Sequence, residues 1–299
     1  MIMEYVRYCP KCGREKIYRS LDSFRANKDS LLCRVCARTE VFNKKYPNKL
    51  VKLLEDTPET YYWIGYLLAD GHFYTNRIKF TQNGIDKISV ENFKKYIEGT
   101  CDVKYDNKRN QASFSIMSVN VVPEIMTKFD IKSDKTYNPP NKEIFENMDI
   151  DLLAYLFIGF VDGDGHIANL HNRPDYNLRI KVHSSWYGVL NVFIERLFGL
   201  SGYVKINKQG YADVAIGDSQ ILKKFKKKYF ENISFEPLHR KWDVIDLNYV
   251  GKYEQAKIIL EKVKELYEQN YSVKDICKTL NLTEGLVYKD IKKIKNEEV

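Results

Sequence analysis

The sequence WIGYLLADG, residues Trp63 to Gly71, recurs later in the chain as FIGFVDGDG, residues Phe157 to Gly165. Position by position, both copies read apolar, apolar, Gly, aromatic, apolar, variable, small, Asp, Gly. The small residues stand four positions apart in each copy, so they share one face of a helix. Because such faces let two helix backbones approach closely, the two stretches predict a pair of helices packed side by side.

Each copy ends in Asp-Gly, with Asp70 in the first and Asp164 in the second. We expect the glycine to adopt the left-handed conformation that ends many helices. A carboxylate at a helix C-terminus opposes the helix dipole and costs about 0.3–1 kcal/mol. Paired helices would bring both carboxylates to one end, where a divalent cation such as Mg²⁺ would offset their charges. A single copy could be a buried helix with a glycine stop, but two copies favour a shared site.

The pair of motifs resembles the LAGLIDADG motifs of homing endonucleases and related maturases, in their single-chain, two-repeat form. The resemblance covers about residues 60–250 and implies an α+β fold of two pseudo-symmetric αββαββα repeats with β-saddles for DNA. It also implies a site-specific, metal-dependent endonuclease that cuts both strands of a long DNA target and leaves short 3′ overhangs.

The resemblance assigns the Mg²⁺ ligands to Asp70 and Asp164, together with the backbone carbonyls of Ala69 and Gly163. The first Asp of the family's name sequence is replaced by Leu68 in repeat one, whereas repeat two keeps it as Asp162. The family ligand is the later Asp, so the resemblance still implies two active centres, which need not be equal.

A matched pair of lysines follows the last helix of each predicted repeat. Lys135 lies 65 residues after Asp70, and Lys241 lies 77 residues after Asp164. By the resemblance, these lysines approach the cleavage site and orient water or stabilise charge on the phosphate. The alternative is a pair of ordinary surface lysines, since lysine is common in this chain.

The regions that follow the two motifs predict a similar order of strands and helices. In repeat one we expect strands at 77–82, 101–107 and 111–117 and helices at 86–98 and 118–129. In repeat two we expect strands at 166–170, 176–184, 201–207 and 211–217 and helices at 185–198 and 218–229. A β-ribbon fits the major groove of DNA, although each of its polar residues could also lie on a solvated face. The residues that we expect to contact DNA from the strands are Arg77, Lys79, Gln82, Lys104, Lys108, Arg109, Arg173, Arg179, Lys181, Lys205, Lys208 and Gln209.

The first 45 residues contain two CxxC pairs, a spacing that typically places four thiolates on one Zn²⁺. The stretch also resembles the small zinc-ribbon modules attached to phage and bacterial endonucleases, and the alternative is a redox pair. Residues 1–50 hold 12 Lys/Arg and 5 Asp/Glu, so the module stays basic even with zinc bound. The proposed zinc ligands are Cys9, Cys12, Cys33 and Cys36.

The C-terminal segment predicts two short helices joined by a tight turn, capped by Ser272 and Thr283. This pattern resembles a helix-turn-helix, in which Thr283, Tyr288 and Lys289 of the second helix would face DNA; the alternative is a plain helical hairpin.

We therefore divide the chain into a zinc-ribbon-like module at 1–45, a linker at 46–60, repeat one at 61–150, repeat two at 151–250 and a helical domain at 251–299. We expect Thr60 to cap the first motif helix, which would begin near Tyr61.

The composition is consistent with a nucleic-acid-binding protein. The formal net charge is +8 over 299 residues, which suits a polyanionic partner. No apolar run reaches the 18 residues that a membrane span requires, and the N-terminus lacks the apolar region of a signal peptide. We expect an intracellular monomer, in the cytoplasm or nucleoid, whose partner is double-stranded DNA. The alternative function is a non-cleaving binder on the same scaffold, either an intron RNA maturase or a DNA-binding regulator.

Overall fold

The structure is a computed structural model that describes residues 4–29, 31–45, 47–169, 176–231, 233–248 and 252–297. Arg173, one of the residues expected to contact DNA, lies outside these ranges. The chain forms two compact units, divided after Ile245.

The N-terminal part of the first unit is a small hairpin followed by two helices. Strands β1 (Tyr5–Tyr8) and β2 (Glu15–Tyr18) pair antiparallel and are followed by helices α1 (Leu21–Ala26) and α2 (Arg34–Lys45). This module packs on the protein that follows it, because Val119 contacts the buried cysteines and Asn76 donates a hydrogen bond to Thr39.

The two repeats have the αββαββα order that the sequence predicts. Repeat one consists of α3 (Pro58–Asp70), β3 (Gly71–Tyr74), β4 (Arg77–Asn83), α4 (Ile88–Tyr96), β5 (Lys104–Asp106), β6 (Gln111–Met117) and α5 (Val121–Lys128). The short helix α6 (Lys142–Glu146) leads to repeat two. Repeat two consists of α7 (Ile150–Asp164), β7 (Gly165–Asn169), β8 (Tyr176–His183), α8 (Tyr187–Phe198), β9 (Lys205–Ile206), β10 (Tyr211–Ile216) and α9 (Ser219–Phe230).

Each repeat forms one four-stranded antiparallel sheet, with strand order β3-β4-β6-β5 in the first and β7-β8-β10-β9 in the second. The register matches between repeats, since Gly71 lies opposite Phe80 and Gly165 lies opposite Ile180. One hydrophobic core of aromatic and aliphatic side chains continues through both repeats. The expected fold class, α+β with two matched repeats, is confirmed by these elements.

Close contact between α3 and α7 depends on the small residues of the motifs. A Cβ added to Gly65 would lie 1.8 Å from the carbonyl oxygen of Leu156, and one added to Gly159 would lie 1.9 Å from that of Tyr62. Both distances are far below van der Waals contact, so only glycine permits this backbone approach. The prediction of two helices packed through their small residues is confirmed.

Two local predictions about the motif helices are wrong. Helix α3 begins at Pro58, and its cap is Thr57, whose hydroxyl accepts the backbone N–H of Thr60. Proline is favoured at the first helical position because its missing N–H would have no partner there. Thr60 is instead buried, and its hydroxyl contacts the Lys52 carbonyl and the Tyr96 hydroxyl.

The glycines that end the motif helices are extended and not left-handed, with φ −78° at Gly71 and −89° at Gly165. In this conformation the chain passes directly from the helix into the first strand of the sheet. Glycine is still required, because a Cβ would lie 2.5 Å from the Leu67 carbonyl in the first case and 2.7 Å from Val161 atoms in the second.

The second unit is a small helical cluster. The first unit ends after the short helix α10 (His239–Trp242), and the second unit consists of α11 (Lys252–Glu268), α12 (Val273–Leu280) and α13 (Glu284–Glu297). Ser272 caps α12 as predicted, and Val263, Ile276 and Val287 form the buried centre of α11–α13. Among the described residues, no helix is both long and apolar enough to cross a membrane.

Candidate DNA-cleavage site

The two motif aspartates are brought to the same end of the α3–α7 pair. A Cβ on Gly163 would lie 2.2 Å from the Ala69 Cβ and 3.0 Å from the Asp70 Oδ2, and Asp164 is the next residue in the chain. The sequence prediction that Asp70 and Asp164 converge is thereby met by the packing of the helices. Two carboxylates close together at two helix C-termini are an arrangement that favours a bound cation.

The surroundings raise the pKa of both carboxyl groups. Burial raises the pKa of Asp70, while the hydrogen bond from Gln82 and the charges of Lys241 and Lys135 oppose the rise. Burial and then the charge of Asp70 raise the pKa of Asp164 to about 6, although part of its surface is open to solvent. Carboxylates that are costly to ionise alone gain free energy when a cation joins them.

The matched lysines are buried beside the ends of the motif helices, so the alternative of ordinary surface lysines is wrong. Lys135 is 8% exposed and its Nζ donates to the Ala69 carbonyl at 2.9 Å. Lys241 is 6% exposed. Its Nζ lies within hydrogen-bonding distance of four carbonyl oxygens, those of Val161 (2.9 Å), Asp162 (2.6 Å), Gly163 (3.2 Å) and Gly165 (2.8 Å).

These contacts place a positive charge on the carbonyl groups that a helix end leaves without partners. Burial lowers the pKa of both lysines, and nearby aspartates oppose the change. The carbonyls of Ala69 and Gly163, expected as Mg²⁺ ligands, already accept a lysine ammonium. Each carbonyl oxygen has a second lone pair, so each could bind an ion and still accept its hydrogen bond from lysine.

Gln82 belongs to the aspartate site and not to the exposed strand face, so its predicted place on that face is wrong. Side chains alternate along β4, and Arg77 and Lys79 are on the more exposed face while Gln82 is 8% exposed. Its amide donates to Asp70 Oδ2 at 2.8 Å. Side chains of a strand alternate between its two faces, so positions 79 and 82 of one strand must point to opposite faces. The sequence alone could therefore have placed Gln82 on the buried face.

The corresponding position in repeat two is Val182, because the matching registers align Phe80 with Ile180. No described residue donates a hydrogen bond to the Asp164 carboxylate. The two centres therefore share their aspartate and lysine but differ in the group that holds the aspartate.

A matched pair of histidines was overlooked at the sequence level, although both motifs continue as Asp-Gly-His. His72 and His166 are exposed on the first strands of the two sheets, paired in register with Lys79 and Arg179. Burial and the charges of Lys135 and Lys79 lower the pKa of His72.

Asp162, which the sequence identifies only as the first Asp of the second motif, is a buried carboxylate that accepts three hydrogen bonds. It is 1% exposed and accepts hydrogen bonds from Tyr62 Oη (2.9 Å), Leu238 N (2.7 Å) and Trp242 Nε1 (2.8 Å). Burial raises its pKa to about 6, and these donors and Lys241 oppose the rise. The three donors are distant in sequence, so only the fold could reveal them.

In the first unit, most of the other residues that we expect to contact DNA are exposed or partly exposed. Tyr74 carries the Arg77 guanidinium above its ring, and Lys181 lies over Tyr211 and donates to Gln209. Exposed basic and amide side chains of both sheets and their hairpins are Lys104, Lys108, Arg109, Arg179, Lys181, Lys205, Lys208 and Gln209. In the second unit, Thr283, Tyr288 and Lys289 are exposed at the start of α13.

The four N-terminal cysteines form one cluster. Their Sγ atoms all lie within 4.8 Å of one another, and Cys12 and Cys33 are 3.7 Å apart. A tetrahedral zinc site with Zn–S bonds of about 2.3 Å has sulfur–sulfur edges of about 3.8 Å. The donor set and its spacing therefore fit zinc.

Comparisons with known proteins give structural neighbours but no sequence relatives. No family model matches the chain, and no curated protein does. The LAGLIDADG homing endonuclease I-GzeII in complex with its DNA target is 14% identical, with TM-score 0.44, over 74% of this chain and 96% of that one. I-LtrWI bound to target DNA is 14% identical, with TM-score 0.44, over 80% and 97%. The meganuclease I-SmaMI bound to uncleavable DNA is 12% identical, with TM-score 0.45, over 74% and 95%.

All three are structures of LAGLIDADG homing endonucleases or meganucleases.

Proposed function

We propose that the protein is a site-specific endonuclease that hydrolyses one phosphodiester bond in each strand of a long double-stranded DNA target. The observation that carries this proposal is the convergence of Asp70 and Asp164 at the glycine-packed end of α3 and α7. A carboxylate pair at two helix ends is costly without a cation, and each repeat supplies one member together with one buried lysine.

Each side chain of the site is assigned its own role. Asp70 and Asp164 would hold Mg²⁺, which when bound supplies a more acidic water and stabilises charge on the phosphate oxygens. Lys135 and Lys241 hold the helix-end carbonyls and lower the electrostatic cost of the two carboxylates. Gln82 fixes the orientation of the Asp70 carboxylate through its amide.

Binding of the DNA is assigned to the basic side chains of the two sheets. Cationic side chains on two matched sheets would bind phosphates along a long site, and guanidinium, ammonium and amide groups can also read base edges. The exposed start of α13, with Tyr288 and Lys289, would extend this contact as a recognition helix.

Zinc is proposed as the structural metal of the N-terminal module, held by Cys9, Cys12, Cys33 and Cys36. Their mutual distances support a closed four-sulfur site. Purified protein should contain about one equivalent of Zn²⁺ by elemental analysis. Absence of zinc after purification in its presence, or a Cys9–Cys12 disulfide, would show that the cluster is not a zinc site.

The proposed function is tested by incubating the protein with a library of randomised and genomic DNA and sequencing the ends of the cleaved molecules. Endonuclease activity predicts a recurrent cut site whose formation requires Mg²⁺. Protein that enriches a sequence without cutting it would instead favour the non-cleaving binder, and its preference for RNA or DNA would separate a maturase from a regulator.

A further inference from the structure

The buried carboxylate of Asp162 connects three elements around the repeat-two centre. Its donor from repeat one is the hydroxyl of Tyr62 on α3. Its other two donors, the backbone N–H of Leu238 and the indole N–H of Trp242, lie on either side of Lys241. The carboxylate therefore pins both ends of the short turn that carries this lysine.

The pinned turn sets the position of the Lys241 ammonium. An ammonium group has three hydrogens, and that of Lys241 lies within 3.2 Å of four carbonyl oxygens around the end of α7. All its hydrogens are thus directed to the backbone on both sides of Asp164. Arg240, in the same turn, also pairs with Asp86 of repeat one through two hydrogen bonds.

The corresponding turn in repeat one is held differently. Leu68 takes the place of Asp162, so α3 offers that turn no carboxylate. The turn is held through its backbone, since Trp186 Nε1 donates to the Lys135 carbonyl and Ser185 donates to that of Thr136. Within the described part of the chain, the Lys135 ammonium donates to one acceptor, the Ala69 carbonyl.

We propose that Asp162 is a positioning residue of the repeat-two centre, which anchors residues 238–242 so that Lys241 clamps the backbone that carries Asp164. The two lysines consequently have different tasks. Lys241 shapes the end of α7, whereas Lys135 keeps ammonium hydrogens for the substrate. The kinetic part of this proposal rests on the proposed endonuclease function, and the structural part does not.

Two single-hydrogen-bond variants give a matched test of the anchor. Trp242→Phe removes the donor on the Lys241 turn and retains an aromatic ring against Phe225 and Phe230. Tyr62→Phe removes a donor to the same carboxylate from the other helix and does not touch the turn. Asp162→Asn should have the larger effect. One carboxylate oxygen becomes an NH₂ group, which cannot accept a hydrogen bond from any of the three donors.

The structural readout is labelling of lysines with an amine-reactive ester, followed by mass spectrometry of the folded protein. Lys241 should react slowly in the wild type and in Tyr62→Phe. In Trp242→Phe its labelling rate should rise roughly tenfold, as expected when a hydrogen bond to a charged group is lost. Unchanged Lys241 labelling in both Trp242→Phe and Asp162→Asn would overturn the proposal.

The kinetic readout is single-turnover cleavage at saturating protein, with each DNA strand labelled separately. Trp242→Phe should slow cleavage roughly tenfold on each strand that Asp164→Asn impairs. Its DNA affinity in Ca²⁺ should be unchanged. Tyr62→Phe should slow cleavage less than Trp242→Phe does, since its lost bond joins Asp162 to α3 and leaves both donors of the turn in place. Equal rates for the two variants would overturn the positioning role. A wild-type protein that cuts no DNA would refute the endonuclease instead, and the labelling result would still decide the role of Asp162.

Discussion

Asp70 in repeat one is held by the amide of Gln82, whereas in repeat two the matching strand position is Val182 and no described residue donates a hydrogen bond to Asp164. The lysines differ in the opposite sense, because Lys241 is anchored through Asp162 and Lys135 is not. In repeat one the fixed group is the aspartate, and in repeat two it is the lysine. A shared pattern of Asp, Gly and Lys thus leaves two ways to stabilise a carboxylate at a helix end.

The helix pair explains why the shared part of the pattern is the same in both repeats. The backbones touch at Gly65 and Gly159 with no room for a Cβ, and the two helix ends must then carry their carboxylates close together. The groups outside that contact differ between the repeats, since Val182 stands at the position that matches Gln82 and Leu68 at the position that matches Asp162.

The largest effect is expected from Asp70→Asn and Asp164→Asn. Each should reduce cleavage by about a thousandfold or more, since loss of a carboxylate removes a ligand of the ion that supplies charge stabilisation. If the centres share an ion, either change stops cutting of both strands; if they do not, each variant becomes a nickase for one strand. Supercoiled target plasmid distinguishes nicked from linear product.

These variants should remain folded, and in Mg²⁺-free buffer they should melt no lower than the wild type, because like charges at helix ends repel. Binding to the target in Ca²⁺ should persist, since phosphate contacts supply most of the affinity. Asp102→Asn, an exposed change outside the site, is the control. Full double-strand cutting by either variant, or loss of its fold, would contradict the role given to these aspartates.

The next effect concerns the group that is present in one centre alone. Gln82→Leu removes the amide donor to Asp70 and should slow cleavage of one strand by about 10- to 100-fold, the usual range for a hydrogen bond to a charged group. The matched change Val182→Ile, at the corresponding strand position, should leave both strands near the wild-type rate. Strand-resolved single-turnover kinetics measure this, and an equal slowing of both strands would show that the centres do not differ as described.

A smaller effect, equal for both centres, is expected from removal of the C-terminal unit. A chain ending at Asn248 should bind its target roughly tenfold more weakly and protect several base pairs fewer, since a recognition helix contacts one local stretch of groove. At saturating protein, the ratio of the two strand-cleavage rates should not change. Unchanged affinity and footprint would mean that α12 and α13 form a helical hairpin without a role in DNA binding.

The smallest effect is a pH dependence of stability in Mg²⁺-free buffer. The folded pKa of Asp164 is raised to about 6 from an ordinary value of 3.8, so its contribution to stability is present below about pH 4 and lost as pH rises through about 6. Asp162 titrates in both proteins and cancels in a comparison. The melting temperature of Asp164→Asn minus that of the wild type should therefore grow between about pH 4.5 and 7.5. Parallel curves would show that Asp164 is not perturbed.

Periodicity and the internal repeat were sufficient to predict the motif helices, the order of the elements and the converging aspartates, because all of these follow from local pattern. The same information was sufficient for the cysteine cluster, since CxxC spacing fixes which thiols can meet. The cap at Thr57 was missed because Thr57 and Thr60 are both good capping residues, and the proline between them decides for the first.

The contacts of Asp162 and of the lysines could not be predicted, because they join residues far apart in the chain. Asp162 meets Tyr62 and Trp242 across 100 and 80 positions, and Lys135 reaches Ala69 across 66. Gln82 was assigned to the wrong strand face, an error that strict alternation along β4 would have prevented.

The central claim, one phosphodiester hydrolysed in each strand by two converging centres, is tested most directly by mapping the wild-type cuts at nucleotide resolution on a selected target. The account predicts one cut per strand in the presence of Mg²⁺, a few base pairs apart across the minor groove, with 3′ overhangs. An intact duplex under conditions where binding is demonstrated, or a cut confined to one strand at completion, would contradict it.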